Sequence, residues 1–302
     1  MKFPTYDEFR ASQGHQNFAF RESLMNYMAK ANGISLDLYV KLIQSCKYFF
    51  VKDPVLILHC LHFDGEEWKR CIKESCLDRE TETEFVKIDF EKIRSKVDAR
   101  FLKISSTNPD IASSLVSKLY KGNVSCLELQ GQRISFDDLL LFSKNFRILE
   151  LYKSTVFEEN GNEVAYERIV SSFRDLKSFH VIRTNDIYDY TNTVKEMIKI
   201  PHFKNIGLFS IVGISALFDM KLFFDFLKKN QKTSAWLSYG NQVLPEEYRE
   251  MLQSIVDEIL EGPRSYLAPF IQFNGQLKRR ELEALWKKDV DCELDARIAA
   301  LS

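Results

Sequence analysis

Histidine and cysteine crowd one stretch of this chain. His59, Cys60 and His62 are followed by Cys71 and Cys76, and imidazole with thiolate is the donor set that tetrahedral zinc prefers. The spacing matches none of the usual zinc-ligand patterns, and the cluster begins inside the apolar run from Val55 to Leu61. Packed core residues are the expected role, with no metal and no cofactor. The six cysteines (Cys46, Cys60, Cys71, Cys76, Cys126 and Cys292) are scattered in a chain of 302 residues, long enough to build a core without cross-links. Free thiols are therefore expected.

Other chemistry-bearing patterns are missing. The sequence holds no GxSxG, no phosphate-cradling glycine loop, no HExxH and no CxxC, so no nucleophile and base can be paired from it and no catalytic residue is assigned. Asp137-Asp138 and Glu158-Glu159 fall at a helix start and in a loop, where solvent or the helix dipole accounts for a carboxylate. A non-enzymatic protein is expected.

Composition narrows the partners. Lys and Arg number 42 against 43 Asp and Glu, giving a net charge of -1, and 45% of the residues are apolar. That balance exerts no overall pull on nucleic acid, and no nucleic-acid partner is expected. The charge-free run Asn205 to Phe218 spans 14 residues, short of the ~20 that a membrane span needs. Asp7, Glu8 and Arg10 interrupt the N-terminus before an apolar leader could form, so cytoplasmic or nuclear residence is expected, without a membrane partner.

Helical spacing dominates the first third. Phe20, Leu24, Tyr27, Met28 and Ala31 share one face, and Gly33 ends that pattern. Ser35 then caps a second helix, with Leu38, Leu42, Ile43 and Cys46 on one side. Val55 to Leu61 suits a buried strand or a helix equally. Phe85 to Asp89 alternates as a strand does, and Asn108-Pro109 opens a helix that ends near Gly122.

From Val124 onward the chain repeats. Four segments fit the spacing LxxLxL: Val124, Leu127, Leu129; Phe146, Leu149, Leu151; Leu176, Phe179, Val181; and Phe203, Ile206, Leu208. Their second positions (127, 149, 179, 206) stand 22, 30 and 27 residues apart. Helical patterns lie between and after them, at Asp137 to Lys144, Glu163 to Phe173, Tyr190 to Ile200 and Asp219 to Lys229. A strand and a helix every ~20–29 residues is the leucine-rich-repeat plan, with one parallel sheet and the helices on its outside. The Asn or Cys that usually follows the third apolar residue is replaced by Gln132, Ser154, Thr184 and Ile211. An open sheet of flavodoxin type is the alternative, although its glycine turn is missing. A fifth strand is expected at Ser234 to Tyr239. A capping helix follows from Pro245 to Gly262, and Leu282, Trp286, Val290, Leu294 and Ile298 form an i+4 stripe on a charged C-terminal helix.

Leu36 to Phe50, with its stretch Lys41-Leu-Ile-Gln-Ser-Cys-Lys-Tyr-Phe-Phe50, together with Asp53-Pro54, Ile134 to Asp138 and Glu159 to Asn162, resembles a nematode-expanded family of F-box-like proteins with a degenerate leucine-rich C-terminal region. The resemblance runs from about Phe18 to Glu261. With the repeat it implies an α+β (α/β repeat) protein: N-terminal F-box-like helices over 1–62, a mixed linker region over 63–122 and a leucine-rich-repeat-like strand-helix solenoid with its capping helix over 123–262; the charged amphipathic tail expected over 263–302 falls outside the resemblance. It also implies a substrate receptor for a cullin ubiquitin ligase, in which Leu38, Leu42, Ile43 and Cys46 face a Skp1-type adaptor and the repeats hold a target protein. The same four residues could instead fill the N-terminal core, and a stand-alone binding module without a ligase is the alternative function.

If the apolar positions of LxxLxL point inward, the residues between and just after them face the open side of the sheet. That face reads Glu128 and Gln130, Glu150 and Tyr152, His180 and Ile182, Gly207 and Phe209. Tyr152, Ile182 and Phe209 then form an apolar ladder on adjacent strands, and Glu150, Tyr152, His180, Ile182 and Phe209 are the expected target contacts. The Leu282 to Ile298 stripe is the available lid should the chain cover that ladder itself.

Overall fold

The computed structural model describes residues 8, 11, 41–42, 46–52, 54–72, 84–93, 95–120, 124–143, 146–183 and 188–299. Leu38, Ile43 and most of the helix expected from Ser35 to Cys46 lie outside the described residues.

A short helix α1 (Lys47–Lys52) leads into β1 (Val55–Phe63), so the ambiguous apolar run is a strand. Asp64 turns the chain: its Oδ1 accepts from the N–H groups of Glu66 and Glu67 at 3.2 and 3.1 Å. Gly65 there takes φ 102°, a backbone conformation that side chains resist. β2 (Trp68–Cys71) returns antiparallel to β1, and β3 (Phe85–Ile88) pairs antiparallel with β2. Next come β4 (Lys96–Ser105), β5 (Cys126–Gln130), β6 (Arg133–Ser135), β7 (Ile148–Tyr152), β8 (Thr155–Phe157), β9 (Ser178–Ile182), β10 (Leu208–Val212), β11 (Ser234–Ser238) and β12 (Phe270–Gln272).

Among the described residues, ten strands form one sheet in the order β12-β11-β10-β9-β7-β5-β4-β1-β2-β3. From β1 through β4 to β12 every neighbouring pair is parallel, so each step needs a crossover. α2 (Ile111–Val116), α3 (Phe136–Phe142), α4 (Tyr166–Ser172), α5 (Thr193–Met197), α6 (Met220–Lys229) and α7 (Glu246–Glu261) supply those steps from β4 onward. Parallel crossovers are right-handed, and from β4 to β12 each new strand adds on the same side, which sends α2 to α7 to one face. A doubly wound sheet of flavodoxin type reverses its order among the parallel strands, and β4 to β12 hold no such reversal; the chain changes direction only at β1, next to the antiparallel β2 and β3. The sheet also runs through the boundaries expected at 62 and 122. α8 (Arg279–Ala299) departs from the one-face rule, since it laps around the β12 edge.

One core lies between the sheet and α2 to α7. Leu127 and Leu129, Leu149 and Leu151, Phe179 and Val181, Phe209 and Ile211 meet Leu139 and Phe142 of α3, Ile169 of α4, Met197 of α5, Phe223 and Leu227 of α6, and Val256 of α7. Burying each such side chain contributes roughly 1.5–3 kcal/mol. The helices start where local chemistry permits. Ser135 Oγ accepts from the Asp138 N–H at 3.0 Å, and Asp219 Oδ1 accepts from the Leu222 N–H at 3.0 Å, satisfying amides that the first turn leaves open.

The repeat reaches the backbone. The N–H after each strand donates to a neighbouring carbonyl: Gly131 to Tyr152, Lys153 to Ile182, Arg183 to Val212, Gly213 to Ser238 and Tyr239 to Gln272. Gly213 takes φ 96°, and a Cβ there would lie 2.5 Å from the Arg183 carbonyl oxygen. Gln132 and Ser154, at the position after the third apolar residue, are buried and turned inward. Gln132 Oε1 accepts from the Ala112 N–H, and its Nε2 donates to the Asn108 carbonyl, both at 3.0 Å. Ser154 Oγ accepts from the Gln132 N–H at 2.9 Å and donates to the Leu129 carbonyl at 3.0 Å.

The fourth repeat is out of its expected register. Phe203 lies in a 3-10 turn (Phe203–Asn205), Ile206 takes the place of Leu176, and Phe209 stands opposite Phe179. The apolar stretch satisfies LxxLxL in two frames three residues apart. The frame 206, 209, 211 prevails because it buries two large side chains, Phe209 and Ile211, beside Phe179 and Val181. Phe209 is consequently a core residue and not a target contact.

Candidate functional site

On the face opposite α2 to α7, strand alternation and in-register pairing lay out side chains in rows. One row runs Lys103, Glu128, Glu150, His180, Ser210, Trp236, Phe270; the next runs Ser105, Gln130, Tyr152, Ile182, Val212, Ser238, Gln272. Glu150, Tyr152, His180 and Ile182 are brought together as expected. Val212 takes the position expected for Phe209, so the apolar ladder survives as Tyr152, Ile182, Val212, each half-buried. The polar atoms around it are organised. Tyr152 Oη donates to Glu150 Oε2 at 2.7 Å, and its ring lies 5.2 Å from that of His180. Lys103 Nζ pairs with Glu128 Oε1 at 2.7 Å.

α8 closes one end of this face. Leu282 is buried in the main core, and Trp286 Nε1 donates to Ser234 Oγ at 2.9 Å. The Trp286 ring lies 5.4 Å from Trp236 and 6.1 Å from Phe270. Asp289 fastens the helix, accepting from Arg264 Nη1 and from the Ala268 N–H, both at 2.8 Å. The ring contacts of α8 are with β11 and β12, away from Tyr152 and Ile182, and the side chains of Leu294 and Ile298 lie outside the described residues. Lys278 pairs with Asp257 and Glu261 of α7.

Of the expected adaptor contacts, Leu42 and Cys46 are described. Both are half-buried, and the Leu42 carbonyl accepts from the Cys46 N–H at 3.0 Å.

Cys60 and Cys71 are joined in a disulfide, which corrects the expectation of free thiols at these two positions. The reason is register: the pairing of His62 with Lys69 and Phe63 with Trp68 sets Cys60 opposite Cys71, and facing cysteines can bond whatever the size of the core. His62 belongs to the same group, its ligand atom and the two sulfurs all lying within 4.8 Å of one another. Burial first, and the Lys103 charge second, push the His62 imidazole down to about 4. Cys76 lies outside the described residues.

One cluster had no sequence signal beyond its tyrosines. Arg183 is buried and forms a bidentate ion pair with Glu163. Its Nη1 donates to Tyr166 Oη at 2.9 Å, and its guanidinium sits 5.3 Å from the Tyr188 ring centre. Tyr188 Oη in turn accepts from the Tyr166 N–H at 2.9 Å. The group ties the loop before α4 to the end of β9, a structural task for buried charge.

No protein-family model, curated protein or solved structure matches the chain.

Proposed function

We propose that this chain is a non-enzymatic protein–protein interaction protein: a leucine-rich-repeat-like solenoid that holds a target protein on the open face of its sheet. The observation that carries this reading is the strand order. From β4 to β12 the strands follow one another without reversal, which leaves a face clear of crossover helices, and such faces suit extended contact with another chain. Tyr152, Ile182 and Val212 are its apolar anchors, with Glu150 and His180 supplying polar contacts beside them.

Within the same proposal the residues before β1 dock a Skp1-type adaptor through Leu38, Leu42, Ile43 and Cys46. The chain then serves as substrate receptor of a cullin ubiquitin ligase in the cytoplasm or nucleus. The resemblance of Leu36 to Phe50 to F-box-like proteins supports this half. Among the described residues no helix is long and apolar enough to cross a membrane.

Co-purification with a Skp1-type protein tests it. The full chain should retain the adaptor, Leu42→Glu should lose it with unchanged far-UV dichroism, and Tyr152→Ala with Ile182→Ala should weaken target capture roughly tenfold or more. Target capture by a chain that never binds the adaptor would identify a stand-alone binding module.

A further inference from the structure

We propose that the reduced protein binds a zinc-class divalent cation between β1 and β2, ligated by Cys60 Sγ, Cys71 Sγ and a ring nitrogen of His62. The site is independent of target capture. Cys60 and Cys71 face each other across the pair with Cα atoms 6.4 Å apart, and strand alternation returns His62 to the same side as Cys60. The three donor atoms already lie within 4.8 Å of one another. Tetrahedral zinc, with bonds of ~2.3 Å to sulfur and ~2.0–2.1 Å to nitrogen, needs donors roughly 3.5–3.8 Å apart. Rotation about the side-chain bonds covers that difference once the sulfurs are separate.

Three further observations fit a ligand there. His62 Nε2 is buried without a hydrogen-bond partner, an arrangement that coordination would repair. The Cys71 N–H donates to Cys60 Sγ at 3.0 Å, and a donor aimed at sulfur favours the thiolate. The rings of Phe85 and Phe101 stand 5.1 and 5.2 Å from that of His62 and wall the site. Two thiolates and a neutral imidazole cancel the cation's charge, so no net charge is buried. Water takes the fourth position.

The disulfide and the metal are alternative states of this site. Opening the S–S bond takes two electrons and two protons from a dithiol, which leaves as its own disulfide. The cation then displaces the two thiol protons to solvent and bonds to both sulfurs.

The test uses the full chain, reduced with a phosphine under nitrogen and titrated with Co(II). The expected result is one equivalent bound with a thiolate-to-cobalt charge-transfer band, bleached by zinc and absent from the oxidised protein. Cys60→Ser and Cys71→Ser should each lose the band, and Cys46→Ser should keep it. In the wild-type chain, zinc should protect Cys60 and Cys71 from alkylation, read by peptide mass spectrometry. That readout decides the matter should a serine variant fail to fold. A folded, reduced chain without the band, or protection that maps to other cysteines, overturns the proposal.

Discussion

Phe209 stands directly opposite Phe179 across β9 and β10, the ring centres 6.1 Å apart and the planes 22° from parallel. This pair fixes which side chains of β10 point toward the helices and which toward the open face. Phe209→Ala should cost about 3–5 kcal/mol in urea unfolding, as a buried aromatic does. Val212→Thr, on the other face, should cost less than about 1 kcal/mol. Equal losses at the two positions would place β10 in the wrong register.

Most of the strand and helix plan was legible because its period is written in apolar residues. The helix expected over Asp219 to Lys229 forms as Met220–Lys229, and the strand expected over Ser234 to Tyr239 forms as Ser234–Ser238. The register of β10 was not legible, since Phe203, Ile206, Leu208, Phe209 and Ile211 satisfy two frames. What separates those frames is tertiary: the rings of Phe179 and Phe223 that receive Phe209 come from other elements. The three residues of β12 were too short a run to see. The Cys60 and Cys71 pairing was hidden for a related reason, because it depends on the Asp64 turn and not on the spacing of the cysteines themselves. Glu150, Tyr152, His180 and Ile182 were found together because their positions follow from alternation alone.

Glu163 neutralises a guanidinium that is only 5% exposed. Glu163→Ala leaves that charge without its carboxylate and should destabilise the fold by about 3 kcal/mol. Tyr166→Phe, which removes one hydrogen bond to Arg183, should cost about 1 kcal/mol. Chemical denaturation of both variants checks the ranking, and a Tyr166→Phe variant weaker than Glu163→Ala would contradict it.

Burial pushes the Tyr188 and Tyr248 phenols up to about 12 and raises those of Tyr166, Tyr190 and Tyr239 as well. Between pH 10 and 12 the folded chain therefore keeps protons that the unfolded chain releases. Stability must fall as pH rises through that window. Phenolate absorbance of these tyrosines should appear together with loss of far-UV dichroism, in one cooperative step. Gradual ionisation near the ordinary phenol value, with the dichroism intact, would show that the phenols are accessible.

Trp286 anchors α8 to β11 through Ser234 and Trp236. Trp286→Ala should speed amide hydrogen exchange in α8 and β12 while β5 and β7 keep their protection. Faster exchange across the entire sheet would mean that α8 supports the core as a whole and does not cover one end of it.

A target held on the open face of the sheet must lie over Ile182. A photoreactive benzoylphenylalanine placed at Ile182, and separately at Leu141, which is 58% exposed on α3, compares that face with the helical side directly. A covalent adduct with a single protein from the native source is expected at Ile182, lost when Tyr152→Asp is added, with no such adduct at Leu141. An adduct at Leu141 with none at Ile182 would contradict it.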